Sequence, residues 1–377
     1  MIRNAKVKGD KAGALSYGSL PRMTRHFHLF DRIASFENLL AAALRAARGK
    51  RSRPNVAEFL ADLGSNCLRL HRELSDGTWR PGAYRTFWIH QPKRRLISAA
   101  PFCDRVVHHA VCRVIEPVFE PTFIHDSYAC RVGKGTHAAV DRYTEFCRRV
   151  LRLGGEGYVL KCDLRKFFPS LDHEILLDIL ARKIGCRRTL DLLRLIVESS
   201  NPQEPVAAYF PGDDLFTPHE RRRGLPIGNL TSQFFANAYL NPFDHFVKEE
   251  LGCRFYIRYC DDFVIFGSDK RALAALVPEL ADRLSALRLR LHERKCQVRR
   301  VDEGVDFLGD RIWPTHRRLR RESVLRFKRR RRHLRDARRA GQTDLAHVRA
   351  SLASWSGHAG HADTWRLREQ LAQTFVW

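Results

Sequence analysis

Phe255-Tyr256-Ile257-Arg258-Tyr259-Cys260-Asp261-Asp262-Phe263-Val264-Ile265-Phe266 is two aromatic, β-branched runs with an acidic pair between them. The runs Phe255–Tyr259 and Phe263–Phe266 have strand character, and the interruption reads as a hairpin with carboxylates at its tip. Side chains alternate along a strand, so Asp261 and Asp262 reach one face together only if the turn allows it. A third aspartate ends a similar run. In Tyr158–Leu164, Tyr158, Leu160, Cys162 and Leu164 share one face, and Val159, Lys161 and Asp163 the other. Were the two runs neighbours in one sheet, Asp163 and Asp261 would converge on an oxygen-rich site. Such a site suits Mg²⁺, which takes one or two carboxylates and completes its shell with water and phosphates.

The rest of the chain supplies the counter-charge. Its 377 residues carry 67 Lys and Arg against 42 Asp and Glu, a formal net charge of +25. With 44% hydrophobic residues the chain has the material for a packed core, which excludes wholesale disorder. A positive field of that size on a folded protein implies a polyanionic partner, nucleic acid foremost. No apolar run approaches a membrane span and the N-terminus lacks a secretory core, so a cytoplasmic protein without membrane contact is expected. The 10 cysteines form no C-x-x-C pair and read as reduced, buried thiols. His108–His109 and His358/His361 lack the company of a zinc site and read as ordinary helix or loop residues.

Helical patterns are expected over Phe36–Ala47, Val56–Leu74, Asp104–Phe119 and Thr136–Leu153, from about His173, over Lys270–Leu289 and through the basic stretch His316–Trp377. Thr231–Gly252 reads as an amphipathic helix with Phe235, Tyr239, Phe243, Phe246 and Val247 on its apolar face. Thr86–His90 and Arg95–Ala99 are strand-like around a basic turn, Ser199–Arg223 is a proline-containing loop, and Val305–Ile312 is a final strand.

Several of these segments resemble the motifs of one family in its order. Tyr259-Cys260-Asp261-Asp262 is similar to the Tyr-x-Asp-Asp box of reverse transcriptases, and Lys161-Cys162-Asp163-Leu164 through Asp172 to their first catalytic-aspartate motif. Gly224-Leu225-Pro226-Ile227-Gly228-Asn229-Leu230-Thr231-Ser232-Gln233 lies where the template- and nucleotide-positioning motif belongs. Leu289–Lys295 with Phe307-Leu308-Gly309 resembles the lysine and primer-grip motifs, and Lys93-Arg94-Arg95 with Asp104–His109 the fingers motifs. The resemblance covers Trp88–Asp310. It implies an α+β right-hand polymerase of fingers, palm and thumb, with an antiparallel palm sheet and a helical thumb. On that template, 1–85 is an N-terminal helical extension and the start of the fingers, 86–157 the fingers, 158–315 the palm (loop 199–223 and motif 224–233 included), and 316–377 the basic thumb.

Carried over, the resemblance makes Asp163 and Asp261 ligands of two Mg²⁺ ions (Mn²⁺ as a substitute), with Asp262 in support and the Leu164 carbonyl completing a shell. Two ions about 3.5–4 Å apart activate a 3′-hydroxyl and stabilise leaving pyrophosphate. Phe168, five residues after Asp163, falls where a ring excludes a 2′-hydroxyl and so favours dNTPs. Lys93 with Arg94 or Arg95 would clamp the triphosphate, and Lys295 matches the lysine that protonates pyrophosphate. Template RNA and a primer or cDNA strand are the implied partners. The chain departs from the common pattern at Ile227, where most such enzymes have Gln, and at Ser232-Gln233, where they have Ser-Pro. Ile227-Gly228-x-x-x-Ser232-Gln233 resembles the reverse transcriptases of diversity-generating retroelements, which copy a template RNA with errors at adenines and act with an accessory oligomeric protein. An apolar side chain in place of an amide leaves shape as the filter, and shape discriminates weakly. A defence-associated or group II-like reverse transcriptase is the alternative, and a non-catalytic RNA-binding protein the second. After Gly309 a thumb-sized segment is expected, with no nuclease domain. Within it Arg317–Arg339 holds thirteen Lys and Arg against two acids, a composition suited to tracking phosphates.

Overall fold

A computed structural model describes residues 24–90 and 94–373. They form two compact units interleaved along the chain, and each is considered by itself. The first holds the residues up to His125, Leu164–Gly252 and Pro278–His292; the second holds Asp126–Asp163, Cys253–Val277 and the chain from Glu293.

The first unit is helical apart from one hairpin, β1 (Arg85–Ile89) and β2 (Arg95–Ala99), paired antiparallel with Trp88 opposite Leu96. Its centre is the helix Phe102–Phe119, buried along most of its length. Against it lies Phe36–Ala46, whose inward face of Leu39, Ala42, Ala43 and Ala46 is small enough for close approach. Ser35 caps that helix, accepting from the Asn38 amide at 3.3 Å, and the Asn38 side chain donates to the Ala110 carbonyl at 3.1 Å. The expected helix Val56–Leu74 is two helices, Pro54–Ala61 and Leu63–Ser75. Asp62 leaves helical geometry between them and caps the second by accepting from Ser65. The expected amphipathic helix Thr231–Gly252 is instead a core helix, Leu230–His245, buried on nearly every side and ending in a π-helical turn, Phe246–Glu250. Its aromatic spacing fits a helix, but the residues between those aromatics are also apolar or small.

The second unit is built on a four-stranded antiparallel sheet in the order β4 (Tyr256–Tyr259), β5 (Asp262–Gly267), β3 (Tyr158–Asp163), β6 (Gln297–Arg300). The helix Thr136–Gly154 packs Tyr143, Phe146 and Val150 onto Val159, Val264 and Phe266 of that sheet. Tyr143 also stacks on Phe307 at 5.2 Å between centroids, which ties in a second, three-stranded sheet. That sheet replaces the single final strand expected: β7 (Val305–Phe307) and β8 (Asp310–Ile312) are a hairpin, and β9 (Arg317–Leu319) adds to it from the stretch expected to be helical. The chain reverses at Leu308 (φ +48°) and Gly309 (φ +102°), left-handed residues of a tight turn. Beyond it run the basic helix Arg321–Arg339 and the helices Leu345–Ala359 and Trp365–Gln373. Phe327 stacks on Trp355 at 3.8 Å, and Arg317 joins the tail to the sheet-packing helix by an ion pair with Asp141 at 2.6 Å. Among the described residues no helix is long and apolar enough to cross a membrane.

His108 and His109 sit inside the first unit, each with Nδ1 buried and unbonded, as helix residues. Burial, then neighbouring positive groups, pushes each to about 4 from the ordinary 6.5. A neutral folded histidine loses stability to protonation of the unfolded chain, so its contribution is whole above pH 6.5 and fades as pH falls toward 4. For fully buried His108 the loss is roughly 2–3 kcal/mol by the lower limit. His108→Leu is expected to flatten the acid limb of a thermal-unfolding series; an unchanged limb would remove His108 from the account.

Candidate active site

The register of β3 against β5 sets Asp163 directly opposite Asp262. Opposed residues of antiparallel strands share a face, with Cβ atoms about 4.5–5.5 Å apart, and like charges there repel. The hairpin before β5 fixes this register. Tyr259 pairs with Asp262 across a turn of Cys260 and Asp261, and Cys260 is left-handed at φ +57°. Asp261 is therefore at the tip, and the residue facing Asp163 is Asp262. Burial first, then the charges of Asp163 and Asp261, raises the Asp262 carboxyl from 3.8 to about 6, while Lys161 and Lys295 work in the opposite direction. Lys295 follows directly in contact, its Nζ 2.8 Å from Asp163 Oδ1. Lys161, on the same strand face as Asp163, donates to the Asp306 carbonyl at 2.6 Å and so ties β3 to β7.

Arg258 escapes sequence reasoning, which assigns arginines to surfaces. Its side chain is fully buried, and its Nη1 donates to the Cys260 carbonyl at 3.2 Å, holding the left-handed residue that precedes Asp261. The one available signal was an arginine inside an otherwise apolar strand.

A second group of expected residues gathers in the first unit. Phe168 lies on the short helix Phe167–Ser170, half-buried and edge-on to Phe167 at 5.4 Å, so part of its ring is open. Its carbonyl accepts from Leu225 at 3.0 Å, and the Ile227 carbonyl accepts from Ser98 of β2 at 3.1 Å. Motif 224–229 is thus stitched to both the Phe168 turn and the β1–β2 hairpin. Gly228 has φ +121°, and a Cβ there would meet Ile97 Cγ2 at 3.2 Å, so only glycine fits. Gln233 is exposed on a helix where its neighbours Thr231, Ser232 and Phe234–Leu240 are buried. Arg94 and Arg95 are exposed, Arg94 lying over the Trp88 ring at 4.2 Å. Leu164 follows β3 and bridges to Leu291. Lys93 lies outside the described residues.

Among the described residues no three or more His, Cys, Asp or Glu side chains form a ready-made metal cage. The donor set still fits a hard cation. It is carboxylate oxygen alone, and Mg²⁺ relies on few protein ligands besides water and phosphate. Oxygen donors at the end of an antiparallel sheet, with an ammonium group in contact, are chemically suited to a hard cation that brings phosphate oxygens with it.

Residues 89–312 match the family described as reverse transcriptase (RNA-dependent DNA polymerase). The chain belongs to this family, has its fold and is an enzyme of that class. It is similar to protein YkfC of Escherichia coli K12, 24% identical over 68% of this chain and 74% of YkfC. It also resembles the group II intron-encoded protein LtrA of Lactococcus lactis subsp. cremoris, 25% identical over 48% of this chain and 28% of LtrA. Among solved structures, apo telomerase from Candida tropicalis aligns with a TM-score of 0.46 and 11% identity, over 62% of this chain and 48% of its own.

A carboxyl whose folded value lies above its unfolded one costs stability once ionised. The penalty is absent below 3.8 and complete above about 6. Asp262→Asn is therefore expected to stabilise the protein in chelator at neutral pH by about 1–3 kcal/mol. The difference from wild type should vanish at pH 4. Thermal unfolding at the two pH values checks this, and a destabilised variant at neutral pH would contradict it.

Proposed function

We propose that this chain copies a template RNA into cDNA, with Asp163, Asp261 and Asp262 as its catalytic carboxylates. The opposition of Asp163 and Asp262 at the end of β3 and β5, in a chain of this family, carries the reading. These three side chains and the Leu164 carbonyl would hold two Mg²⁺ ions, or Mn²⁺ in their place. Such ions, when bound, polarise the attacking 3′-hydroxyl and offset charge on the leaving pyrophosphate. Lys295 carries a proton at Nζ, in contact with Asp163, and delivers it to pyrophosphate. Lys93, Arg94 and Arg95 bind the triphosphate through charged, forked donors. The open face of Phe168 rejects a 2′-hydroxyl and so selects dNTPs. Gln233 reaches the template or the incoming nucleotide. The palm reading of 158–315 and the thumb reading of 316–377 belong to the same proposal, with the arginines of Arg321–Arg339 gripping the backbone of the template–primer duplex.

Asp261→Ala is expected to lower primer extension with Mg²⁺ by several orders of magnitude without loss of template binding; equal extension by variant and wild type would refute the catalytic assignment. Template affinity should fall steeply with salt, each phosphate contact released adding to the log–log slope. A slope near zero would remove the tail from the binding surface.

The finer role we propose is that of a diversity-generating retroelement, with errors at template adenines and an accessory protein oligomer as partner. Ile227 supports it. Its carbonyl is fixed to Ser98, so the side chain stands at a set position beside Gly228, where an amide would add a hydrogen-bonding discriminator. Ile227→Gln is expected to lower adenine-directed errors in sequenced cDNA, and an unchanged spectrum would exclude this mechanism. The likeness to LtrA favours a second reading, a group II-like enzyme. Flanking DNA with a repeat pair differing at adenines supports the first reading, and flanking intron sequence the second.

A further inference from the structure

We propose that Cys162 and Cys296 form an oxidative modification site that switches the catalytic end of the palm sheet. The effect on synthesis rests on the function proposed above; the chemistry of the pair does not. Cys162 precedes Asp163, Cys296 follows Lys295, and their Sγ atoms are 3.1 Å apart. The β3–β6 ladder pairs Leu160 with Val298 and Lys161 with Gln297, so its next step sets Cys162 against Cys296. Opposed antiparallel residues have Cα atoms about 4.5–5.5 Å apart, inside the ~4.4–6.8 Å span a disulfide requires. Bonding closes the sulfurs to about 2.05 Å, a movement of roughly 1 Å shared between the end of β3 and the turn Glu293–Lys295.

Access differs between the two thiols. Cys162 is fully buried and Cys296 half-buried, so a small peroxide reaches Cys296 first. The Cys296 sulfur attacks one peroxide oxygen, the O–O bond breaks, and a sulfenic acid and one water result. The Cys162 sulfur then attacks the sulfenic sulfur, its proton leaves with the hydroxyl as a second water, and the S–S bond forms. Two thiols and one hydrogen peroxide thus give one disulfide and two waters; each sulfur is oxidised by one electron and both oxygens are reduced. A dithiol reverses the change by exchange. The crosslink joins the backbone next to Asp163 to that next to Lys295, whose side chains already meet at 2.8 Å. It thereby holds Asp163 on the lysine and resists its release to other ligands.

The full chain treated with hydrogen peroxide, digested without reductant and analysed by mass spectrometry is expected to yield a Cys162–Cys296 peptide pair that dithiothreitol removes. Primer extension should fall about tenfold or more on oxidation, as ångström-scale displacement of reacting groups does, and recover with dithiothreitol. Cys296→Ser should extend primers like reduced wild type and keep its rate in peroxide. Oxidation of other cysteines without this crosslink would overturn the site. A crosslink with unchanged rate, or equal losses in wild type and Cys296→Ser, would overturn the switch. A chain inactive even when reduced would refute the proposed function while leaving the peptide pair as the test of the site.

Discussion

Asp163 and Asp262 face each other across two hydrogen-bonded strands, and nothing in the folding of a sheet favours like charges at that spacing. Their surroundings hold them there. Val159, Val264 and Phe266 are locked into the core beneath the helix Thr136–Gly154, so neither strand can slip by one residue without turning its apolar side chains outward. Burial, and after it the charges of Asp163 and Asp261, raises the Asp262 carboxyl even though Lys161 and Lys295 oppose the rise. The divalent cation and phosphate ligands proposed for this site would supply the counter-charge that the two lysines provide only in part.

Other features can be traced from this pair. The two-residue turn that sets the register is held at Cys260 by a buried guanidinium, that of Arg258. The strand carrying Asp163 is tethered by Lys161 to the β7–β8 hairpin. The tail of the chain reaches the same unit through Arg317, which binds Asp141 by its side chain while its backbone N–H donates to the Asp363 carboxylate. In the first unit, an independent set of backbone hydrogen bonds draws Phe168, Ile227, Gly228 and β2 together.

Much of this was legible in the chain. Alternation in Tyr158–Leu164 and the aromatic runs around Asp261 gave both central strands, because each strand buries a face that the sequence marks with period 2. The order of motifs identified the family before any geometry. What escaped has physical reasons. Leu308 occupies a left-handed position without the glycine or asparagine that advertises one, so the β7–β8 hairpin looked like a single strand. The helix Leu230–His245 is buried nearly all round, a condition that periodicity cannot separate from amphipathicity when small residues fill the intervening positions. The pairing of Asp163 with Asp262 rather than Asp261 depends on the geometry of one turn, and the contact of Cys162 with Cys296 on strand order, neither of which a linear pattern contains.

Everything proposed for this chain turns on whether the opposed carboxylates at the end of β3 and β5 form a divalent-cation site for phosphoryl transfer. Anomalous diffraction from crystals of the enzyme with template–primer, a non-reactive dNTP analogue and Mn²⁺ tests it most directly. Anomalous peaks are expected within coordination distance of Asp163 and of the Asp261–Asp262 pair, touching the triphosphate. Peaks elsewhere in the chain, with those carboxylates bound only to lysine and water, would contradict it.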